Sequence, residues 1–450
     1  MLLEELRLRG GEVAVIGLGK SGVAATLLLR DRGIRAYASE IRDSETTQGW
    51  AKPLRAAGAD VELGRHDLGR IARSVAAIVA PGVPPEVPAL AAAATAAVPV
   101  YAEVDLGYTA LPDTRFVGIT GTNGKTTTTS LVAHVLQGLG LDGVAAGNIG
   151  LPLSEVARRT VPPAWVALEL SSFQLHDCPH VAPGIGVLLN LAPNHLDRYP
   201  TLEAYYGDKA LLFRNADARS VTVSNADDPA VQAMVAPVPG RHLRFAVQGR
   251  ADAWYDSGAG WLMLGSERLL ERARLPLLGE HNVANALTAA LVAREAGGGS
   301  GAIAEALTTF RAIAHRVEPI REVDGVLWIN DSKSTNITST EVAIAAQDRP
   351  FVLLLGGRHK GEPYGRLAVP LAARARGVVA YGEAGDQVER DLGARVPVVR
   401  AGTFEDVVAT ARRLARPGDA VLLSPACSSY DMFRNYEERG DRFRELVESL

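Results

Sequence analysis

The amino-acid sequence predicts an α/β fold divided among two or three domains. Three observations predict it. The chain has 450 residues, more than one hydrophobic core usually serves. Short apolar runs alternate with helix-length Ala-, Leu- and Arg-rich stretches, the pattern of parallel sheets covered by helices. Two glycine-rich turns, "GLGKSG" (17–22) and "TGTNGKTT" (120–127), each join an apolar run to a helical one.

In the first hundred residues "EVAVIG", "IRAYAS", "AAIVAPGV" and "VPVYAE" read as strands, and 20–32, 49–57 and 86–96 as helices. Gly17, Gly19 and Gly22 are spaced G-x-G-x-x-G after the first strand; alone, that spacing describes a dinucleotide turn. The "PGVPP" turn after residue 80 marks the C-terminal end of a strand, where such sheets bind ligands. A second unit starts near Val104. "RFVGIT" is a strand, "KTTTTSLVAHVLQGLG" a helix, and "AWVALEL", "GIGVLLN" and "SVTVSN" further strands. Residues 241–264 are expected to form short antiparallel strands around "DSGAG", followed by helices at 281–296 and 302–311, with "GGGSG" (297–301) as a loop. A third unit begins near Ala312, with strands "GVLWIND", "FVLLLGG", "GVVAYGE", "VPVVRAG" and "AVLLSPA".

Composition narrows the function. Hydrophobic residues at 47% and charged residues at 22% describe an ordinary globular protein. A net charge of −4 provides no basic field, so nucleic acid is not an expected partner. Cys178 and Cys427 are the only cysteines, too few for a disulfide framework or a Cys-rich zinc site. The stretch "MLLEELRLRGGEVAVIG" has acids early and no long apolar core, so it does not read as a signal peptide. No uncharged apolar run reaches ~18 residues, so no membrane span is expected. The expected location is the reducing cytoplasm.

Of the 47 basic residues only six are lysines: Lys20, Lys52, Lys125, Lys209, Lys333 and Lys360. The other 41 are arginine. A guanidinium does not readily lose its proton and cannot imitate a compact ammonium on a flexible stem. Each lysine is therefore a candidate for a role that arginine cannot fill.

The second glycine turn has the context of a phosphate cradle. Backbone N–H groups of Gly121, Thr122, Asn123 and Gly124 can converge on phosphate oxygens, Lys125 can reach the β- and γ-phosphates, and Thr126 or Thr127 can ligate Mg²⁺. Ile119 stands where the G-x-x-x-x-G-K pattern has its first glycine, so the cradle is a variant. Glu169 ends the "VALEL" strand, where a carboxylate suits a metal ion; His195 and Asp197 follow another strand; Lys209 lies in a helix among apolar neighbours.

These residues together resemble the Mur ligase family, ATP-dependent amide-forming enzymes of peptidoglycan precursor synthesis. The resemblance covers nearly the whole chain, through "GITGTNGKTTTT", "GNIG", "ELSSFQL", "NHLDRY", "GEHNVANALTA", "HRVE", "NDSKSTN" and "SPACSSYDMFRNYEERG". The Rossmann-type start and the last two motifs are most similar to members that add D-glutamate to UDP-MurNAc-L-Ala; other Mur-type amino-acid ligases are the alternative. The resemblance implies a Rossmann-like N-terminal domain (1–103) for the UDP-sugar. It implies a central P-loop-type ATPase domain (104–312) and a Rossmann-like C-terminal domain (313–450) for the amino acid.

The resemblance also assigns residues. Gly19, Lys20, Ser21, Glu40, Arg42 and Asn148 would meet the UDP-sugar, with "EIR" (40–42) standing where the family shows acid–Thr–Arg. The cofactors implied are ATP, two Mg²⁺ ions and a carbamate on Lys209. Thr126, Glu169, His195 and Lys209 would hold metal, and Lys125, Glu169, His195 and Lys209 would form the catalytic set. Asn282 and Asn285 would meet adenosine, Arg316 the γ-phosphate and Asp331 the ribose. Lys333, Thr335, Lys360, Ser429 and Tyr436 would surround D-glutamate. A cytoplasmic monomer with a part in cell-wall biogenesis, cell shape and division is implied. An NAD-dependent oxidoreductase, suggested by "GLGKSG" alone, leaves the second cradle unexplained.

Overall fold

A computed structural model describes residues 2–193, 199–359 and 361–450. His195, Asp197 and Lys360 lie outside the described residues. The chain forms two compact units: residues 1–275 with 283–309, and residues 276–282 with 310–450. Among the described residues no helix is long and apolar enough to cross a membrane.

The first unit holds two sheets. The N-terminal sheet contains β1 (Glu12–Ile16), β2 (Arg35–Glu40), β3 (Asp60–Leu63), β4 (Ala76–Val79) and β5 (Val100–Ala102) in the order β3-β2-β1-β4-β5, all parallel. Val13, Ala14, Val15 and Ile16 are all buried because both faces of β1 are covered. Strand order reverses between β1 and β4, and the Gly17–Gly22 turn leaves β1 at that reversal, where a crevice opens. The helix expected at 49–57 starts earlier, at Glu45, because Ser44 caps it through Thr47 N.

The central sheet contains β6 (Arg115–Thr120), β7 (Gly143–Gly147), β8 (Trp165–Glu169), β9 (Ile185–Leu188), β10 (Val221–Asn225), β11 (Arg241–Ala246), β12 (Ala253–Asp256), β13 (Trp261–Leu264) and β14 (Glu267–Glu271). Their order is β14-β13-β12-β11-β10-β9-β6-β8-β7. The expectation of antiparallel strands over 241–264 holds only from β12 onward. β11 runs parallel to β10, because the helix Pro229–Val235 carries the chain back before β11 begins, and it also pairs parallel with β12 at Phe245↔Ala253 and Ala246↔Trp254. β7, "GVAAG", has little strand propensity and escaped the sequence reading. It needs its last glycine: a Cβ on Gly147 would sit 2.4 Å from the Glu169 carbonyl oxygen.

The two sheets are joined through the helix Glu103–Thr109. Glu103 accepts the Ser154 N–H at 2.6 Å, and Asp105 accepts from the His180 N–H at 3.0 Å and meets its ring Nδ1 at 2.7 Å. Arg158 pairs with Asp31 across the same seam.

The second unit holds β15 (Glu318–Val323), β16 (Val326–Asn330), β17 (Phe351–Gly356), β18 (Ala375–Tyr381), β19 (Val398–Arg400) and β20 (Ala420–Leu423), in the order β15-β16-β20-β17-β18-β19. Only β15 is antiparallel to its neighbour. β17 and β20 are buried throughout, as their continuous apolar sequences require. The helix Glu280–Glu295 crosses the division between the units, so Asn282 counts with the second and Asn285 with the first.

Candidate active site

The strand–turn–helix at 115–138 positions the first group of side chains. β6 ends at Thr120, and the helix Lys125–Gly138 begins after four residues whose N–H groups lie at its N-terminus. Gly124 has φ +80°, and a Cβ there would lie 2.8 Å from Asn285 Oδ1. Glycine is thus required both by conformation and by space. The turn is clamped from outside: the Asn190 side chain accepts from Asn123 N at 2.8 Å and donates to Asn123 O at 3.1 Å. Asn285 Oδ1 accepts from the Thr128 hydroxyl at 2.9 Å, tying the helix Glu280–Glu295 to the cradle helix. Lys125 Nζ donates to the carbonyls of Gly121 and Thr122, both at 2.9 Å, so its ammonium lies over the turn itself. Thr126 and Thr127 are half-buried in the first turn of the helix.

Glu169 stands beside this turn because β8 pairs with β6 in the register Ile119↔Glu169, and with β7 at Gly147↔Glu169. Its side chain is 2% exposed. Oε1 accepts from Asn148 Nδ2 at 2.9 Å, while Oε2 is buried without a partner among the described residues. An unsatisfied buried carboxylate oxygen is costly unless a cation takes it up. An oxygen donor of that kind, with threonine hydroxyls on the neighbouring helix turn, fits Mg²⁺.

Lys209 lies on the helix Leu202–Ala210 and is 1% exposed. Its Nζ donates to Gly121 O at 2.9 Å and sits 4.5 Å from the Tyr205 ring centre. Burial first, and the Lys125 charge second, lower its pKa from 10.5 to about 7. Lys125 and Lys209 thus meet at one carbonyl oxygen. Asp228 holds the chain just after β9, accepting from Leu191 N at 2.9 Å. Asn190, Tyr205 and Asp228 were missed by sequence reasoning. Only the Asp–Pro step at 228–229, a helix-start signal, marked any of them.

The N-terminal sheet carries a cavity of about 480 Å³ whose lining includes Gly19, Lys20, Ser21, Glu40, Arg42 and Asn148, all six expected sugar-nucleotide residues. Glu40 is committed internally: Oε2 accepts from Leu18 N at 2.9 Å, and Oε1 from Arg42 N at 3.2 Å and Arg42 Nε at 2.9 Å. The carboxylate shapes the turn, and the exposed Arg42 guanidinium is the group left facing the cavity.

In the second unit, Asp331 is buried, accepting from Val317 N at 3.2 Å and from the Ser424 hydroxyl at 2.8 Å. Burial pushes its pKa up to about 6. Arg316 sits between two non-glycine residues of positive φ, His315 (+63°) and Val317 (+42°), and its Nε is buried without a partner among the described residues. Strain of this kind persists where surrounding structure over-determines it. Lys333 Nζ lies 5.2 Å from the Tyr436 ring centre. Thr335 is half-buried, and Ser429 is buried in the loop after β20. Asn282 Nδ2 donates to Leu278 O at 2.7 Å. Arg439, also missed, is wholly buried and binds Ser332 Oγ and O and Cys427 O, joining the loop that carries Lys333 to the loop that carries Ser429.

The chain matches three family descriptions: "Mur ligase MurD-like, N-terminal domain" over residues 11–102, "Mur ligase middle domain" over 119–293, and "Mur ligase, glutamate ligase domain" over 315–427. A Salinibacter ruber protein named UDP-N-acetylmuramoylalanine--D-glutamate ligase is 40% identical, with 98% of each chain covered. A Myxococcus xanthus protein of the same name is 40% identical over 99% of this chain and 100% of its own. Among solved structures, a UDP-N-acetylmuramate-alanine ligase from Thermotoga maritima shares the fold at TM-score 0.61 and 20% identity, over 98% of this chain and 99% of that one. A MurF ligase from Thermotoga maritima, in complex with ADP, does so at TM-score 0.60 and 18% identity, over 92% and 94%. Three family domains in sequence order, full-length relatives and the shared fold agree: the chain belongs to the Mur ligase family.

Proposed function

We propose that this chain is an ATP-dependent ligase that joins D-glutamate to UDP-N-acetylmuramoyl-L-alanine in peptidoglycan precursor synthesis. The observation that carries the reading is the unpartnered, buried Glu169 Oε2 next to the glycine turn on which Lys125 and Lys209 converge. The names of the full-length relatives support the choice of substrates.

Amide formation from a carboxylate and an amine is uphill in water. The reading is therefore transfer of the ATP γ-phosphoryl group to the alanyl carboxylate, then attack of the D-glutamate amine and release of phosphate. The first step brings anions together, so donors must already be placed where charge accumulates. In this reading the turn at 121–124 binds polyphosphate, with the Thr122 and Asn123 N–H groups, which here donate to Asn190 O and Oδ1, turning to phosphate, and Lys125 moves from its own turn onto it. Thr126, Glu169, His195 and a carbamylated Lys209 would hold two Mg²⁺ ions, which supply Lewis-acid neutralisation of the phosphoryl and carboxylate oxygens. Lys209 contributes by being buried: a neutral amine adds CO₂ and loses one proton to become a carbamate, and burial favours the neutral amine. Asn148 orients Glu169 and faces the first cavity.

In this reading residues 1–103 hold the UDP-sugar and residues 104–312 hold ATP through the cradle, Asn282 and Asn285. Residues 313–450 hold D-glutamate through Lys333, Thr335, Lys360, Ser429 and Tyr436, with Arg316 at the γ-phosphate and Asp331 at the ribose. The enzyme works as a cytoplasmic monomer on small molecules. The test is ADP release with the UDP-sugar present and D-Glu, L-Glu, L-Ala or L-Lys supplied in turn. Release dependent on D-Glu is expected; equal or greater release with another amino acid overturns the assignment.

A further inference from the structure

The first cavity contains one polar side chain that none of the motifs includes. His66 follows β3 by three residues and lines the cavity beside Glu40, Ile41 and Arg42. Its Nδ1 is held 2.8 Å from the hydroxyl of Ser39, a fully buried residue on β2. That bond fixes the ring. Nε2 has no hydrogen-bond partner among the described residues.

Strand order sets what each wall of the cavity can touch. The glycine turn leaves β1, the Glu40–Arg42 segment leaves β2, and His66 leaves the chain after β3, the edge strand. Two strand spacings separate the turn from His66, about 10 Å. A nucleoside diphosphate with its phosphates at Gly19–Ser21 therefore runs outward along the strand ends and places its base between Ile41 and His66. Ile41 is a 60%-exposed large apolar side chain, a face for a base to rest on. The ring atom of a pyrimidine opposite its ribose-linked N1 is C4, so the substituent at C4 reaches farthest, to the wall that His66 forms.

We propose that His66 reads the 4-position of the base, donating Nε2–H to the O4 carbonyl of uracil and thereby selecting uridine over cytidine nucleotides. The proposal takes the Ser39 hydroxyl as the donor to Nδ1, 2.8 Å away, which puts the single proton of the neutral ring on Nε2. Burial lowers the His66 pKa and so favours the neutral ring. A cytosine would present its N4 amino group, a donor, to that N–H, and two donors cannot pair. The inference rests on the reading of this cavity as the UDP-sugar site.

The test is calorimetric titration of the full chain with UDP and with CDP, without ATP. The parent protein is expected to bind UDP about tenfold or more tighter than CDP. His66→Leu should abolish that preference by weakening UDP alone. His66→Gln, whose amide can replace Nε2–H, should retain it. Ser39→Ala, which releases the ring, should reduce it and serves as a second variant should His66→Leu fail to fold. A His66→Leu or Ser39→Ala protein that keeps the parent ratio overturns the role of His66 while leaving the cavity assignment intact. Failure of the parent to bind UDP at all overturns the cavity assignment and this inference together.

Discussion

Glu103 yields a pH dependence that can be worked through from its surroundings. The carboxyl is buried in the seam between the two sheets of the first unit; Oε1 accepts the Ser154 N–H and Oε2 has no partner among the described residues. Burial raises its pKa from 4.5 to about 7, against the opposing pull of the Ser154 bonds. Between those values the folded protein holds a proton that the unfolded chain has released. The folded pKa is the raised one, so the contribution to stability is complete below pH ~4.5 and is lost as pH rises through ~7. A shift of about 2.5 units corresponds to a loss of about 3 kcal/mol at pH 8. Glu103→Gln keeps the carbonyl acceptor for Ser154 and cannot ionise. At pH 5 the parent carboxyl is largely protonated, and the two proteins should be closest in stability. At pH 8 the variant should be more stable by roughly 2–3 kcal/mol. Denaturant titrations at pH 5, 6, 7 and 8 measure the difference. Parallel stability curves for the two proteins over that range would refute the reasoning.

Three further outcomes test the catalytic reading. Lys209→Ala should lower turnover by at least about 100-fold, with partial recovery on adding formate or acetate, which can occupy the space of the carbamate; no recovery at any concentration counts against the carbamate. Glu169→Gln should raise the Mg²⁺ concentration needed for half-maximal turnover by about tenfold or more, and an unchanged Mg²⁺ titration removes Glu169 from the metal. Gly124→Ala forces a Cβ to 2.8 Å from Asn285 Oδ1 at φ +80°, at a backbone cost of about 1–2 kcal/mol. It should weaken ATP binding and leave UDP binding unchanged; equal ATP affinity in a nucleotide titration sinks the cradle assignment.

The parts legible in the sequence were those whose cause is local. The turn at 120–127 is announced by a strand before it and a helix after it, and continuous apolar runs announced β1, β8 and β17 as strands buried on both faces. Contacts made by residues far apart in the chain left no trace. Nothing in "EVD" says that Glu103 meets Ser154 or that Asp105 meets His180, 51 and 75 residues away. β7 ends in glycine because the Glu169 carbonyl crowds Gly147, and that crowding is tertiary. β11 was misjudged because its direction depends on the helix before it, not on its own sequence. Glu40 lines the cavity beside the first glycine turn, but its oxygens are taken by Leu18 and Arg42, which only folding reveals. His66 has no motif around it and was invisible.

The division of labour between lysine and arginine follows from what each site offers. At Lys209 the buried amine has one protein acceptor recorded for it, Gly121 O, and an aromatic face. A guanidinium there would bring five N–H donors and a charge it cannot shed, leaving most of those donors unsatisfied. At Arg439 the opposite holds. Two carbonyls and a hydroxyl surround a wholly buried group, and a planar fork satisfies all three at once. An ammonium has its donors at a single point and could not span them. In a chain that uses arginine for 41 of its 47 cations, Lys209 thus stands where a cation with a lowered pKa fits and a guanidinium does not. Lys52, exposed on the helix Glu45–Ala56, and Lys20, exposed at the start of its helix, face no such constraint.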